Sequence, residues 1–190
     1  MADWDIKPII PIPILKRNNG KYLPNDDYIR CVIVGPSGCG KTTLLHIFLL
    51  APGWLDKKNR HTYIYSKSLN QPSYVFLQNL YSEISAKINK DICTFCDNNE
   101  EVVPLDECLN NSIVVFDYFI QENQAHVRDY YTRGRHKQID VFYLGQTYSK
   151  IPKQLIRDNI NFLCIFQQDN TNLKHIYNEF VGGDFSFDDF

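Results

Sequence analysis

The 190-residue sequence contains no long apolar run and no excess of positive charge. The first absence argues against a transmembrane helix, which needs about 18 or more consecutive apolar residues. A net charge of −2 excludes a chain that attracts nucleic acid over its whole surface, so contact with DNA requires a local basic patch or an assembled ring. Asp3 and Asp5 near the start argue against a secretory or mitochondrial presequence. We therefore expect a soluble, intracellular protein with no membrane partner.

Six cysteines invite a disulfide or metal interpretation. Cys31 and Cys164 lie in apolar segments typical of strands, where we expect small core residues. Cys93 and Cys96 have the spacing of a zinc knuckle and Cys108 could add a third thiolate, but no further Cys or His lies close enough to complete a set of four. The preferred interpretation is solvated loop cysteines in a reducing compartment, with a zinc site as the alternative.

The chain divides into a proline-rich extension over residues 1–28 and one domain over residues 29–190. Within that domain, helix-like segments alternate with five strand-like segments, at residues 30–34, 62–65, 113–117, 141–144 and 162–166. Strands with continuous apolar runs, alternating with helices, predict an α/β fold with a mostly parallel sheet covered on both faces. Residues 89–111 are polar and poorly patterned, which predicts a surface insertion. Helices are also expected at about residues 122–133 and 152–157.

A glycine-rich loop follows the first strand and precedes an apolar helix at residues 44–50, which is the context of a nucleotide site. Its glycines let backbone N–H groups surround phosphates, and the helix N-terminus adds partial positive charge. Lys41 is predicted to reach the β- and γ-phosphates of a nucleoside triphosphate, and Thr42 to bind Mg²⁺ through its hydroxyl. The predicted nucleotide-binding residues are Gly35, Pro36, Ser37, Gly38, Cys39, Gly40, Lys41, Thr42 and Thr43.

Two polar residues end later strands and are expected near this loop, because ligands bind at the carboxyl ends of parallel strands. Asp117 closes the run Val-Val-Phe-Asp, an acidic strand motif whose carboxylate holds the water shell of Mg²⁺. Gln146 follows the fourth strand. It faces the γ-phosphate if the sheet order is 5-1-4-3-2, and otherwise it is a turn residue. A second carboxylate that orients water is expected after Asp117, but Tyr118 stands there, so Glu122 is the remaining candidate.

A dense basic cluster lies near the middle of the chain. Its members are Arg128, Arg133, Arg135, His136 and Lys137. Three interpretations stay open: a solvated helix end that complements the helix dipole, an arginine finger directed at a neighbour's γ-phosphate, or a contact with a nucleic-acid backbone. Arg157 is a second candidate for an arginine finger.

Several short motifs of this chain recur, in the same order, in a known family. They are Tyr65-Ser66-Lys67-Ser68 with Gln71-Pro72, Asn123-Gln124, Arg133-Gly134-Arg135-His136-Lys137, Phe142-Tyr143-Leu144-Gly145-Gln146-Thr147-Tyr148, Ile151-Pro152-Lys153 and Ile156-Arg157-Asp158-Asn159. With these motifs, residues 30–190 resemble the genome-packaging ATPases of the FtsK–HerA superfamily, in the poxvirus-like branch. The block that follows the acidic strand is the most specific part of the resemblance.

The resemblance implies a P-loop NTPase that forms a homo-oligomeric ring, commonly a hexamer, and uses ATP and Mg²⁺ to drive double-stranded DNA into a viral capsid or through its portal vertex. It implies Lys41 and Thr42 on nucleotide and metal, Asp117 on metal and Gln146 as the γ-phosphate sensor. It also implies a location in the host cytoplasm, viral factory or nucleus, or association with the virion. One departure is that Asp117-Tyr118 stands where the family usually has paired aspartates.

Two alternatives come from other functional classes. A nucleoside monophosphate kinase would need a monophosphate-binding insertion and an arginine-rich lid, and an apolar strand directly after the basic cluster does not fit a lid. The second alternative is a nucleotide-binding scaffold that hydrolyses ATP slowly or not at all. Tyr118 favours it, because this residue stands where a second carboxylate is expected. In the preferred interpretation a neighbouring subunit supplies Arg133, Arg135 or Arg157, and the isolated subunit is a poor ATPase.

Overall fold

The computed structural model describes residues 28–50, 60–98, 101–117, 125–154, 156–181 and 186–190. In these residues one sheet contains six strands: β1 (Arg30–Val34), β2 (Thr62–Ser66), β3 (Cys93–Cys96), β4 (Ile113–Asp117), β5 (Asp140–Gly145) and β6 (Phe162–Ile165). Their order is β3-β2-β4-β5-β1-β6, and every neighbouring pair is parallel. The order 5-1-4-3-2 predicted for the five expected strands is confirmed, and β3 is an additional strand at one edge.

Helices pack on both faces of the sheet, as the continuous apolar strands predicted. They are α1 (Lys41–Leu50), α2 (Pro72–Ile88), α3 (Ala125–Arg133) and α4 (Asn170–Ile176). The buried side chains of α1 and α2 form one core with one face of the sheet, and those of α3 form a second core with the other face. Strand β1 contributes to both cores, because Val32 and Val34 point to the α3 side whereas Ile33 points to the α1 and α2 side.

The segment 89–111 is not a surface insertion. Its residues 93–96 form β3, which pairs with β2 from Thr62 to Tyr65. Val102 and Leu105 are buried in the core beneath α3. The prediction was wrong because a four-residue edge strand is too short to give a recognisable period of apolar residues.

The cysteines of this segment are not solvated loop residues either. Cys96 and Cys108 are buried in the α3 core, whereas Cys93 packs against the other core, because residues three apart on a strand point to opposite faces. This geometry also excludes a knuckle formed by Cys93 and Cys96. No group of three or more His, Cys, Asp or Glu side chains in the described part of the chain is arranged to hold a metal. Cys31 is buried as predicted, and Cys164 is half-buried beside it.

A buried ion pair connects the strands at the end of the sheet where the parallel strands begin. The Arg60 guanidinium lies 2.6 Å from Asp140 Oδ2, and both side chains are almost completely buried. Arg60 also donates to the Ser112 carbonyl oxygen at 3.0 Å, and Asp140 Oδ1 accepts from the Ile29 N–H at 2.7 Å. These bonds join the starts of β1, β4 and β5, the three strands whose opposite ends carry the candidate site.

The remaining elements differ slightly from the predictions. The helix expected at residues 122–133 is described from Ala125 as α3, and the helix expected at 152–157 is a short 3₁₀ turn at Arg157–Asn159. Almost all of the proline-rich extension, residues 1–27, lies outside the described residues. Among the described helices, none has the length and apolarity needed to cross a membrane.

Candidate nucleotide-binding site

The glycine-rich loop connects the end of β1 to the start of α1. The Gly35 N–H donates to the Gly145 carbonyl oxygen at 3.1 Å, which joins the loop to the end of β5. Gly38 and Gly40 have φ values of 76° and 103°, a backbone region that favours glycine. Helix α1 begins at Lys41, so its unpaired N–H groups and positive dipole end face the loop.

Phe166 packs tightly beneath this loop and was not among the predicted site residues. A Cβ atom added to Gly35 would lie 2.5 Å from Phe166 Cβ and 2.7 Å from Cys39 Sγ. The Phe166 N–H donates to the Val34 carbonyl oxygen at 2.8 Å, so the backbone of this residue is fixed next to β1. In the sequence Phe166 is one more apolar residue of a strand-like run, and no local signal distinguishes it.

The Lys41 side chain folds back onto the loop. Its Nζ donates to the carbonyl oxygens of Gly35 at 2.7 Å and Pro36 at 2.8 Å. Thr42 is half-buried and Thr43 is exposed. The ammonium group is thus held at the loop by neutral acceptors, which charged phosphate oxygens can replace.

Asp117 ends β4 directly opposite Ser66, the last residue of β2. The Tyr74 hydroxyl donates to Asp117 Oδ2 at 2.5 Å, and the Ser66 hydroxyl lies 3.5 Å from the same oxygen. Burial raises the pKa of Asp117, and the bond from Tyr74 and the positive charge of Lys41 partly oppose this rise. The loop lysine is thus near enough to the acidic strand to act on this carboxylate.

The donor atoms around Asp117 fit a magnesium ion. Magnesium prefers oxygen ligands, keeps several waters, and is usually held by one or two carboxylates together with substrate phosphates. The Asp117 carboxylate lies next to the hydroxyls of Ser66 and Tyr74, and all of these groups offer oxygen atoms. Thr42, in the first turn of α1, is close enough to Tyr74 to oppose part of the rise that burial causes in the pKa of Tyr74. Tyr74 was not predicted, because it reads as one position of an apolar helix face.

Gln146 lies beside the phosphate loop at the end of β5. It lines an open polar groove together with Pro36 and Ser37 of the loop. Residues after β6 form the opposite wall, and one of them, Gln168, places its side-chain amide 3.5 Å from the Gln146 carbonyl oxygen. The inserted position of β5 between β1 and β4 is what brings Gln146 to the loop.

The basic cluster occupies the end of α3 and the 3₁₀ turn Gly134–Lys137 that follows it. Lys137 has a structural role, since its Nζ donates to three carbonyl oxygens between Leu105 and Cys108 at 2.7 to 2.9 Å. Arg133 is about half-exposed and lies 3.3 Å from Asp129. Arg128, Arg135 and His136 are exposed.

Arg157 is placed differently from the prediction. Its side chain is 11% exposed and forms a 2.8 Å ion pair with Glu179, and its guanidinium stacks 4.9 Å above the ring of Tyr148. The Tyr148 hydroxyl donates to the other oxygen of Glu179 at 2.5 Å. An arginine finger has to project from the surface, so these internal contacts argue against Arg157 in that role. Tyr118 and Glu122 lie outside the described residues.

This fold and site define a P-loop NTPase, with a glycine-rich loop between a buried parallel strand and a helix and an acidic strand nearby. The chain belongs to the poxvirus A32 protein family, whose model matches residues 17–181. Among individually curated protein sequences, none matches the chain significantly.

Solved structures share the fold at low sequence identity. The genome packaging NTPase B204 from Sulfolobus turreted icosahedral virus 2, in complex with ATP-gammaS, is 14% identical with a TM-score of 0.59, and the match covers 84% of this chain and 85% of that one. The DNA-packaging ATPase B204 from Sulfolobus turreted icosahedral virus is 15% identical with a TM-score of 0.51 over 84% and 85% of the two chains. The cytoplasmic domain of EssC is 16% identical with a TM-score of 0.50, over 82% of this chain and 36% of that one.

Proposed function

We propose that this protein is an ATP-hydrolysing motor subunit that moves double-stranded viral DNA into a capsid. The observation that carries the proposal is the strand order, with β5 between β1 and β4, so that the phosphate loop, Gln146 and Asp117 follow or end three adjacent parallel strands. Nucleoside monophosphate kinases place the loop strand next to the acidic strand, so this order disfavours that alternative. Membership of the A32 family supports the same function. Residues 29–190 would form the ATPase domain, with residues 1–28 as an extension.

Each residue of the site has a specific role in this proposal. Backbone N–H groups of the loop bind the phosphates, and Lys41 exchanges its two carbonyl partners for β- and γ-phosphate oxygens. Thr42 and Asp117 would hold Mg²⁺, which would supply positive charge against the phosphates. Gln146 contacts the γ-phosphate and orients the attacking water. Glu122 is the proposed acceptor of the proton from that water.

We further propose that the subunits form a ring, with six as the expected number. Arg133 and Arg135 are the candidates for a cation supplied to the neighbouring subunit, because both lie at the surface whereas Arg157 is held internally. A positive charge from a neighbour stabilises the charge that develops on the transferred phosphoryl group. The exposed members of the basic cluster also provide the local patch that DNA requires in a chain of net charge −2.

The test is phosphate release from ATP by the full chain, with and without double-stranded DNA. We expect DNA to stimulate hydrolysis, and Lys41→Ala to reduce it by about 100-fold or more because the main cation at the phosphates is lost. Lys174→Ala, which removes an exposed lysine on α4, is the matched control and should retain activity. Phosphoryl transfer to GMP or TMP in place of hydrolysis would support the kinase. ATP binding without DNA-stimulated hydrolysis, even in assembled rings, would support the non-catalytic scaffold.

A further inference from the structure

The Tyr74 hydroxyl connects helix α2 to the acidic strand of the site. Tyr74 lies in the first turn of α2, and its side chain is completely buried. Its hydroxyl donates to Asp117 Oδ2 at 2.5 Å, and the Ser66 hydroxyl lies 3.5 Å from the same oxygen. One hydroxyl therefore links helix α2 to the carboxylate that ends the acidic strand β4, beside the end of β2.

Packing alone does not require this hydroxyl. A phenylalanine ring would fill the same space, and burying a hydroxyl is unfavourable unless it forms hydrogen bonds. The two hydroxyl contacts of Asp117 both reach Oδ2, and none of the described side chains bonds to Oδ1. Tyr74 thus fixes the carboxylate through one oxygen and leaves the other for an external ligand.

Tyr81 gives an internal comparison. It lies two turns further along α2 on the same buried face, and its hydroxyl donates to Thr62 Oγ1 at 3.2 Å. Thr62 begins β2, at the opposite end of the strand from Ser66, so the Tyr81 hydroxyl is bound away from Asp117. The two tyrosines lie on the same helix and are buried in the same core. They differ in the residue that the hydroxyl contacts.

We propose that Tyr74 is a positioning residue for the metal of the nucleotide site. Its hydroxyl orients the Asp117 carboxylate towards the Mg²⁺ that accompanies ATP. This inference rests on the proposed function. Residues that hold metal ligands in place typically contribute about 10- to 100-fold to metal affinity or activity, although they do not touch the metal.

The test compares the full chain with Tyr74→Phe and Tyr81→Phe. The affinity for a non-hydrolysable ATP analogue is measured with and without Mg²⁺, together with the Mg²⁺ concentration that gives half-maximal ATP hydrolysis. For Tyr74→Phe we expect the affinity for the analogue without Mg²⁺ to be unchanged. The increase in affinity on adding Mg²⁺ should be about 10-fold smaller than in the unaltered chain, and the half-maximal Mg²⁺ concentration should be about 10-fold higher. Tyr81→Phe should leave all three unchanged. Wild-type Mg²⁺ dependence in Tyr74→Phe, or an equal change in Tyr81→Phe, would overturn the proposal.

A second comparison keeps the test informative if Tyr74→Phe is less stable. In an Asp117→Asn background, adding Tyr74→Phe should cause no further loss of the Mg²⁺-dependent gain in affinity, because the group that Tyr74 orients is already changed. Independent, additive losses would overturn the positioning role. If the unaltered chain binds the analogue with no Mg²⁺ dependence, the proposed function fails together with this inference. If it shows that dependence and Tyr74→Phe retains it, only this inference fails.

Discussion

Replacing Gly35 with alanine tests how tightly the phosphate loop packs on the floor formed by Phe166. The added Cβ would lie 2.5 Å from Phe166 Cβ and 2.7 Å from Cys39 Sγ, whereas carbon atoms in favourable contact are about 3.5 to 4.0 Å apart. The sulfur can rotate away, but Phe166 Cβ is attached to a backbone that is hydrogen-bonded to Val34. The loop or the end of β6 therefore has to move.

This overlap determines the loss of stability and of nucleotide affinity that we expect for Gly35→Ala. Overpacking of this kind destabilises a protein by about 1 to 3 kcal/mol, and displacement of the loop N–H groups should also weaken nucleotide binding. The measurements are the free energy of unfolding in urea and the affinity for an ATP analogue. Cys39→Ala added to Gly35→Ala should recover only part of the loss, because it removes the sulfur contact and leaves the contact with Phe166.

Gly134→Ala is the matched control for this experiment. Its added Cβ would lie no closer than 3.7 Å to Ile139 and 3.8 Å to Val141, which is ordinary contact. This variant should be neutral or stabilised by up to about 1 kcal/mol, because alanine restricts the unfolded chain more than glycine does. If Gly35→Ala binds the analogue as tightly and unfolds at the same urea concentration as the unaltered chain, the reasoning about the floor of the loop is wrong.

Three further predictions concern stability, pH and assembly. Asp140→Ala should lower the free energy of unfolding by about 3 to 5 kcal/mol in urea denaturation, because it leaves the buried Arg60 charge unpaired. Asp117→Asn should stabilise the chain at pH 7 while impairing hydrolysis. Burial raises the pKa of Asp117 in the folded state, so the gain in stability of Asp117→Asn over the unaltered chain should disappear as pH falls below 3.8, the ordinary pKa of this group. A gain in stability that does not change with pH would contradict this explanation. Mixing inactive Lys41→Ala with inactive Arg135→Ala protein should restore hydrolysis, and no restoration would exclude Arg135 as the cation supplied to a neighbour.

The sequence predicted the parts of this protein whose chemistry leaves a local pattern. The phosphate loop has a fixed spacing, and Asp117 and Gln146 each follow an apolar strand, so their meeting at one edge follows from parallel pairing. Tyr74 and Phe166 carry no such pattern. Each is an aromatic residue in an apolar segment, and only the three-dimensional contacts distinguish it from other core residues.

Two of the sequence predictions failed for reasons of geometry. Strand β3 has four residues at the sheet edge, and the loop after it buries Val102 and Leu105, which a polar composition conceals. Arg157 was a candidate arginine finger, a role that needs an exposed side chain. The partner that holds it, Glu179, lies 22 residues away, and a contact at that separation leaves no local signal.

The charge balance of the site explains why one subunit is expected to hydrolyse ATP slowly. Among the described residues, Lys41 is the cation whose charge lowers the pKa of Asp117, and Arg157 is already paired with Glu179. Transfer of a phosphoryl group spreads negative charge over three oxygens, and P-loop enzymes that add an arginine to this charge gain about 10³- to 10⁵-fold in rate. The exposed arginines at the end of α3 lie on the surface, where they can reach another subunit. Assembly would then supply the missing charge, and hydrolysis would depend on contact between neighbouring subunits.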